Sequence, residues 1–132
     1  MDIEQLVPQL RTTDLDRAIH FFTKKLGFAL AFKYQGFYAG VSTGTRMIHL
    51  KRVDDPDPGI DFVRHGQHLH VYISVRDIHA AFRQVQEAGV TVVEGISERP
   101  WGTTEFVIED PDGHTIYFGS DGQDPRSQSS VR

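Results

Sequence analysis

The chain has no cysteine. That removes disulfides, thiolate nucleophiles and thiolate metal sites together, and it fits a reducing cytoplasm. No apolar run approaches the ~18 residues of a membrane-span candidate. Basic residues are outnumbered, 14 Lys and Arg against 18 Asp and Glu, for a formal net charge of −4. There is therefore no electrostatic footprint for nucleic acid or for an anionic membrane surface. Met1 to Leu10 lacks the basic start and the apolar block of a secretory signal. What remains is ordinary for a globular protein: 132 residues, 39% hydrophobic and 24% charged, the size of one domain with a real core.

The most structured stretch runs from Glu98 to Gly119. Two runs rich in β-branched and aromatic residues, Thr103 to Ile108 and Thr115 to Phe118, flank Asp110-Pro111-Asp112-Gly113. Pro111 presets φ and Asp110 can accept from the backbone two residues on, so the stretch predicts strand, tight turn and returning strand. The single tryptophan, Trp101, sits upstream between Pro100 and Gly102. An indole there is either a core plug or the wall of a pocket, and a Pro-Trp-Gly loop favours the wall.

Elsewhere the pattern is strand, helix, three strands, stated twice. Leu6 to Thr12 reads as a strand, with Pro8, which lacks an N–H, at its start or at a hinge. Asp14 caps a helix to about Lys25, with Leu15, Ala18, Ile19, Phe22 and Leu26 on one face and Gly27 as its stop. Phe28 to Tyr34, Phe37 to Ser42 and Thr45 to Arg52 are strand-like. The turn-rich Asp54 to Gly66 is a linker. Gln67 to Val75 is a strand, Asp77 caps a second helix that stops at Gly89, and Val90 to Ile96 precedes the two strands already described. Asp14-Leu15 with Ala18 and Gly27 matches Asp77-Ile78 with Ala81 and Gly89, an internal repeat of about 50–60 residues. The expectation is an α+β domain over residues 1–119, made of two tandem βαβββ modules (5–53 and 67–119) joined by linker 54–66. The modules form a curved mixed sheet with the helices outside, and its concave face suits a small ligand. The polar residues 120–132 predict a disordered tail.

These features resemble the vicinal oxygen chelate superfamily, which includes glyoxalase I, extradiol dioxygenases and the fosfomycin- and bleomycin-resistance proteins. The resemblance rests on the doubled element order, on Thr13-Asp14-Leu15 leading to Phe22 and Leu26-Gly27-Phe28, and on Asp110-Pro111-Asp112-Gly113-His114. Val7-Pro8-x-Leu10, Phe21-Phe22-Thr23, Phe37-Tyr38-Ala39-Gly40-Val41, Arg99-Pro100-Trp101-Gly102 and Glu105-Phe106 resemble the bleomycin-resistance branch in particular. The resemblance implies a cytoplasmic homodimer that confers antibiotic resistance by binding the drug without catalysis. It also implies an N-terminal strand exchanged between subunits, with Pro8 as its hinge.

The superfamily's enzymes hold one metal with ligands from four strands. By resemblance those positions fall on Val7, His49, His70 and Tyr117. A hydrophobe and a phenol in two of the four places do not make the open three-ligand site of metal catalysis. A divergent lyase or dioxygenase holding one divalent ion with His49 and His70 is the alternative. His65, His68 and His70 crowd one segment. With His49 they would hold zinc or nickel, or else His65 and His68 are solvated while His49 and His70 line a polar cavity. His20, His79 and His114 read as surface residues.

The resemblance assigns no cofactor and implies ligand-binding aromatics at Phe32, Tyr38 and Trp101, with Phe37 adjacent. These would stack on a planar aromatic ligand, oriented by Glu105, His49 and His70. Lys33 stands where the family has acids, and there it would repel a cationic ligand. A third reading, an ancillary domain without a small ligand, predicts that Trp101 is fully buried.

Overall fold

A computed structural model describes residues 1–120 of the chain. The first module runs β1 (Gln9–Thr12), α1 (Leu15–His20), a π-helical segment (Phe21–Lys25), β2 (Ala29–Tyr34), β3 (Tyr38–Thr43) and β4 (Arg46–Arg52). The second runs β5 (Val71–Ser74), α3 (Ile78–Glu87), β6 (Thr91–Glu98), β7 (Thr104–Glu109) and β8 (Thr115–Ser120), and a short α2 (Gly59–Arg64) lies between them. The sheets have the same plan, β1-β4-β3-β2 and β5-β8-β7-β6, with β1–β4 and β5–β8 parallel and the other pairs antiparallel. The expected repeat is thus realised strand for strand. Asp14 and Asp77 each accept a first-turn N–H at 3.0 Å, from Arg17 and Ala80, which satisfies a donor with no partner inside the helix.

The expected first helix reaches Lys25, but its last turn is widened, with Leu26 N–H donating to Phe21 O at 3.2 Å. The consecutive residues Phe21 and Phe22 both end in the core. The sheets answer the two helices differently. Across β3 and β4, Ala39 faces Leu50 and Val41 faces Ile48. Across β7 and β8, Phe106 faces Phe118, their rings parallel within 5° at 4.9 Å, and Ile108 faces Ile116. In the first module the helix supplies the bulk and the sheet is lined by smaller side chains. In the second the sheet supplies it, with α3 offering Ile78, Val85 and the edge of Phe82. Both layers join in one continuous core.

The Asp110 turn fastens the modules together. Asp110 Oδ1 accepts from the N–H groups of Asp112 at 3.0 Å and His114 at 2.8 Å. Asp112 Oδ1 takes the Arg17 guanidinium at 2.7 Å and the Thr13 N–H at 3.2 Å. His114 Nε2 donates to the Arg11 carbonyl at 2.7 Å. Burial pushes the Asp110 carboxyl up to about 6; the charge of His114 and the N–H donors pull it down, and Asp112 adds to the rise.

Several expectations need correcting. His114 is buried, not on the surface, because its ring fills the junction beside β1. The first strand begins at Gln9 and not Leu6, with Pro8 O accepting from His49 N–H at 2.9 Å. The fifth begins at Val71 and not Gln67, because His68 takes a φ of +68° and its ring rests near Phe62. His68 and His70 therefore do not share a strand face. The linker contains α2, whose buried Ile60 sits against the Asp110 turn while Arg64 reaches Glu109 at 3.2 Å. Ser120, placed in the tail, ends β8 and donates to the Arg76 carbonyl at 3.2 Å; the rest of the expected tail, from 121 on, lies outside the described residues. Among the described residues no helix is long and apolar enough to cross a membrane.

Candidate functional site

Each sheet turns one face to its helix and leaves the other open. Strand alternation puts Gln9, His49, Gly40 and Phe32 in a row across the open face of the first sheet. A bulge between Leu30 and Phe32 re-aims β2, and the Phe32 ring lies on Gly40, where any Cβ would collide with it. Phe32 and Tyr38 are parallel within 10° at 6.2 Å, and His49 stands edge-on to both at 5.4 Å. Gln9 Nε2 donates to the Tyr38 hydroxyl at 2.9 Å, which lies 3.0 Å from His49 Nδ1. The phenol can thus accept from Gln9 and donate to the imidazole, leaving the proton of a neutral His49 on Nε2.

The open face of the second sheet is built on a charge. Tyr72 lies over Gly119 as Phe32 lies over Gly40. Its hydroxyl donates to Glu105 Oε2 at 2.8 Å. Thr103 Oγ1 donates to the same oxygen at 2.9 Å, and Arg99 Nε donates to Oε1 at 2.9 Å. Arg99 also meets Glu94 at 2.9 Å. Burial pushes the Glu105 carboxyl up, but the hydrogen bonds from Tyr72, Arg99 and Thr103 outweigh it and hold the group below the usual Glu range. The hydrogen bond to Glu105 raises Arg99 against a smaller opposing effect of burial.

Beside this network lies a cavity of about 390 Å³ lined by His70, Tyr72, Trp101, Glu105 and Tyr117. Trp101 is 70% exposed, so it is not a core plug, and the ancillary-domain reading loses its premise. His70 and Tyr117 meet edge-to-face at 5.2 Å, and His70 Nδ1 is buried without a hydrogen-bond partner among the described residues.

Of the residues expected at a site, Phe32, Tyr38 and His49 come together on the first sheet. Trp101, Glu105 and His70 come together on the second. Phe37 stands apart, exposed in the β2–β3 turn. Lys33 does not face the aromatic set: it pairs with Ala39 on the helix side and binds Asp16 at 2.9 Å, so the expected repulsion does not arise. Sequence reasoning missed Tyr72, Arg99 and Thr103 as partners of Glu105. The period of two that places His70 and Tyr72 on one face was a usable signal for the first.

Within a single chain the donor set assigned by resemblance is incomplete for a metal. Of the four positions assigned by resemblance, the Val7 side chain has no donor atom and Tyr117 offers a phenol in place of a carboxylate. Among the described residues no group of three His, Cys, Asp or Glu is placed to hold an ion.

The fold and its open faces define a class, a paired βαβββ scaffold whose two sheets each present an open face carrying aromatic side chains. The chain belongs to the glyoxalase/bleomycin resistance protein/dioxygenase superfamily, whose family model matches residues 3–118. It is 31% identical over 118 residues to a lactoylglutathione lyase of Haemophilus influenzae, covering 83% of this chain and 86% of that one. In structure it resembles a glyoxalase/bleomycin resistance protein/dioxygenase from Alicyclobacillus acidocaldarius, with a TM-score of 0.75, 21% identity and 92% of each chain covered. It also resembles the bleomycin-binding protein of Streptomyces verticillus complexed with copper(II)-bleomycin, with a TM-score of 0.69, 24% identity, and 89% of this chain and 96% of that one covered.

Proposed function

We propose that the chain is a binding protein of the bleomycin-resistance type, which sequesters a planar aromatic antibiotic or metabolite in the cytoplasm without turning it over. The observation that carries this reading is the exposed indole of Trp101 on a cavity walled by Tyr72, Tyr117 and His70. Flat π-faces with few free charges suit stacking on a planar ligand. The likeness to a fold found in complex with copper(II)-bleomycin is consistent with it.

The working unit in this reading is a homodimer. Exchange of the N-terminal strand about Pro8 would bring the Phe32, Tyr38 and His49 face of one subunit to the Trp101 and His70 face of the other. The exposed apolar Ile3 and Leu6 ahead of Pro8 support a covered N-terminal segment. The test is titration with metal-free bleomycin and planar aromatic drugs, following Trp101 emission. Saturable quenching at micromolar ligand is expected; its absence for every such compound sinks the reading.

The second reading is a divergent metal-dependent lyase or dioxygenase using His49 and His70, favoured by the 31% identity to a lactoylglutathione lyase. It predicts a stoichiometric divalent ion in untagged protein purified without chelator, lost on His70→Ala.

A further inference from the structure

The loop that carries Trp101 is fastened from both ends to one carboxylate. Arg99 N–H donates to Thr103 O at 2.7 Å and Gly102 N–H to Arg99 O at 3.0 Å, so residues 99–103 close on themselves. From one end of that loop Arg99 reaches Glu105 Oε1, and from the other Thr103 reaches Oε2. Tyr72, from β5, binds the same carboxylate from the cavity side. Glu105 is only 4% exposed, while the indole it helps to locate is 70% exposed. A buried, ionised group held by three donors is a fixed post; an exposed ring on a short loop is not fixed by its own packing.

We infer that Glu105 is a positioning residue: through Arg99 and Thr103 it holds Trp101 as the standing wall of the cavity, and through Tyr72 it holds the adjoining surface. This rests on the binding reading for its purpose, but not for its test. It also changes the role expected of Glu105, whose oxygens are engaged by protein donors and not offered to the ligand.

The charge is essential to the device. A Gln at 105 has one acceptor oxygen and one NH₂ group, so it cannot accept from three donors that approach both ends of the carboxylate. The groups facing Glu105 are Arg99 and Glu94 on and beside β6, Tyr72 on β5, and His70 and Tyr117 across the cavity. Because Glu105 is held below the ordinary Glu value of 4.5, the clamp is present above that value and is released as pH falls through the lower, folded-state value.

The chain has one tryptophan, so its fluorescence reports this loop alone. Time-resolved anisotropy of Trp101 should be recorded without ligand for the wild type, Glu105→Gln and Arg99→Met, alongside circular dichroism and thermal unfolding. Both variants are expected to lose roughly half of the slow, whole-molecule component to fast local motion while unfolding cooperatively. The wild type should make the same loss only on acidification below the usual Glu range, and Glu105→Gln should show no such pH step. If Glu105→Gln does not fold, Arg99→Met decides, since its side chain lies at the surface side of the post. Unchanged anisotropy in the folded variants overturns the inference. Loosened variants together with a wild type that quenches with no drug would leave Glu105 as the post and remove the binding reading instead.

Discussion

The two open sheet faces share a backbone plan but not a chemistry. The first has no carboxylate at its centre: Gln9, Tyr38 and His49 form a hydrogen-bonded row beside Phe32. The second is organised by a buried charge, Glu105, held by Arg99, Thr103 and Tyr72. Yet each uses the same device, an aromatic side chain occupying the space a Cβ would fill on a glycine, Phe32 at Gly40 and Tyr72 at Gly119. The helix-facing sides differ in the opposite sense: similar cores are reached with the aromatic bulk on the helix in one module and on the sheet in the other. The repeat thus fills its helix-facing side from opposite partners in the two modules and gives its open side two different chemistries. That is the division expected when packing constrains one face and ligand chemistry the other.

The comparison breaks most visibly if inner and outer aromatics are exchanged as targets. Phe106→Ala should cost about 3–5 kcal/mol in denaturant unfolding, since it empties a fully buried stack. Phe32→Ala, on the open face, should cost no more than about 1 kcal/mol while weakening drug-induced quenching. Equal stability losses would show that the two faces are not divided in this way.

The junction between the modules is next in size. Asp110 has its carboxyl raised to about 6 from an ordinary 3.8, so its stabilising contribution is fully present below that lower value and is lost as pH rises through about 6. Asp110→Asn keeps an oxygen to accept the Asp112 and His114 N–H groups and removes the titration. The stability difference between wild type and variant should therefore shift in favour of the wild type by on the order of 2 kcal/mol between pH about 7 and pH about 4. A pH-independent difference in chemical denaturation would contradict the assignment.

The smallest stability effect is the most discriminating. Gly40→Ala and Gly119→Ala each place a methyl under the covering ring, which must swing away. Each should cost about 1 kcal/mol, because the displaced ring is partly exposed. If the ligand spans both faces, both variants should bind metal-free bleomycin more weakly. Weakening by Gly119→Ala alone would confine the site to the second sheet.

Much of the fold was legible because it is written in local signals. Asp14 and Asp77 cap, Gly27 and Gly89 stop, and the strands between them follow a period of two. Trp101 was legible as something other than a core plug because a Pro-Trp-Gly loop has little to bury it. What escaped depends on distant partners. His114 looks like a turn residue until its acceptor, Arg11, arrives from 103 positions away. α2 was hidden by the Asp- and Pro-rich residues before it, although Ile60 and Val63 follow. Glu105 read as a group offered to a ligand because its donors come from β5, the end of β6 and the following loop, and no spacing rule joins them.

The parallel pairing of first and last strands has a consequence for the order of assembly. Gln9 can find His49 only after the whole first module exists, and Val71 waits in the same way for Ile116. Each module closes with its most non-local contact, which makes closure slow relative to hairpin formation. During synthesis the first module can close while the second is unfinished, but Arg11 has no partner for its carbonyl until His114 is made. The Asp110 turn thus unites the modules only after most of the described chain has been made, and a chain stopped before it would lack the fastening that joins the two sheets.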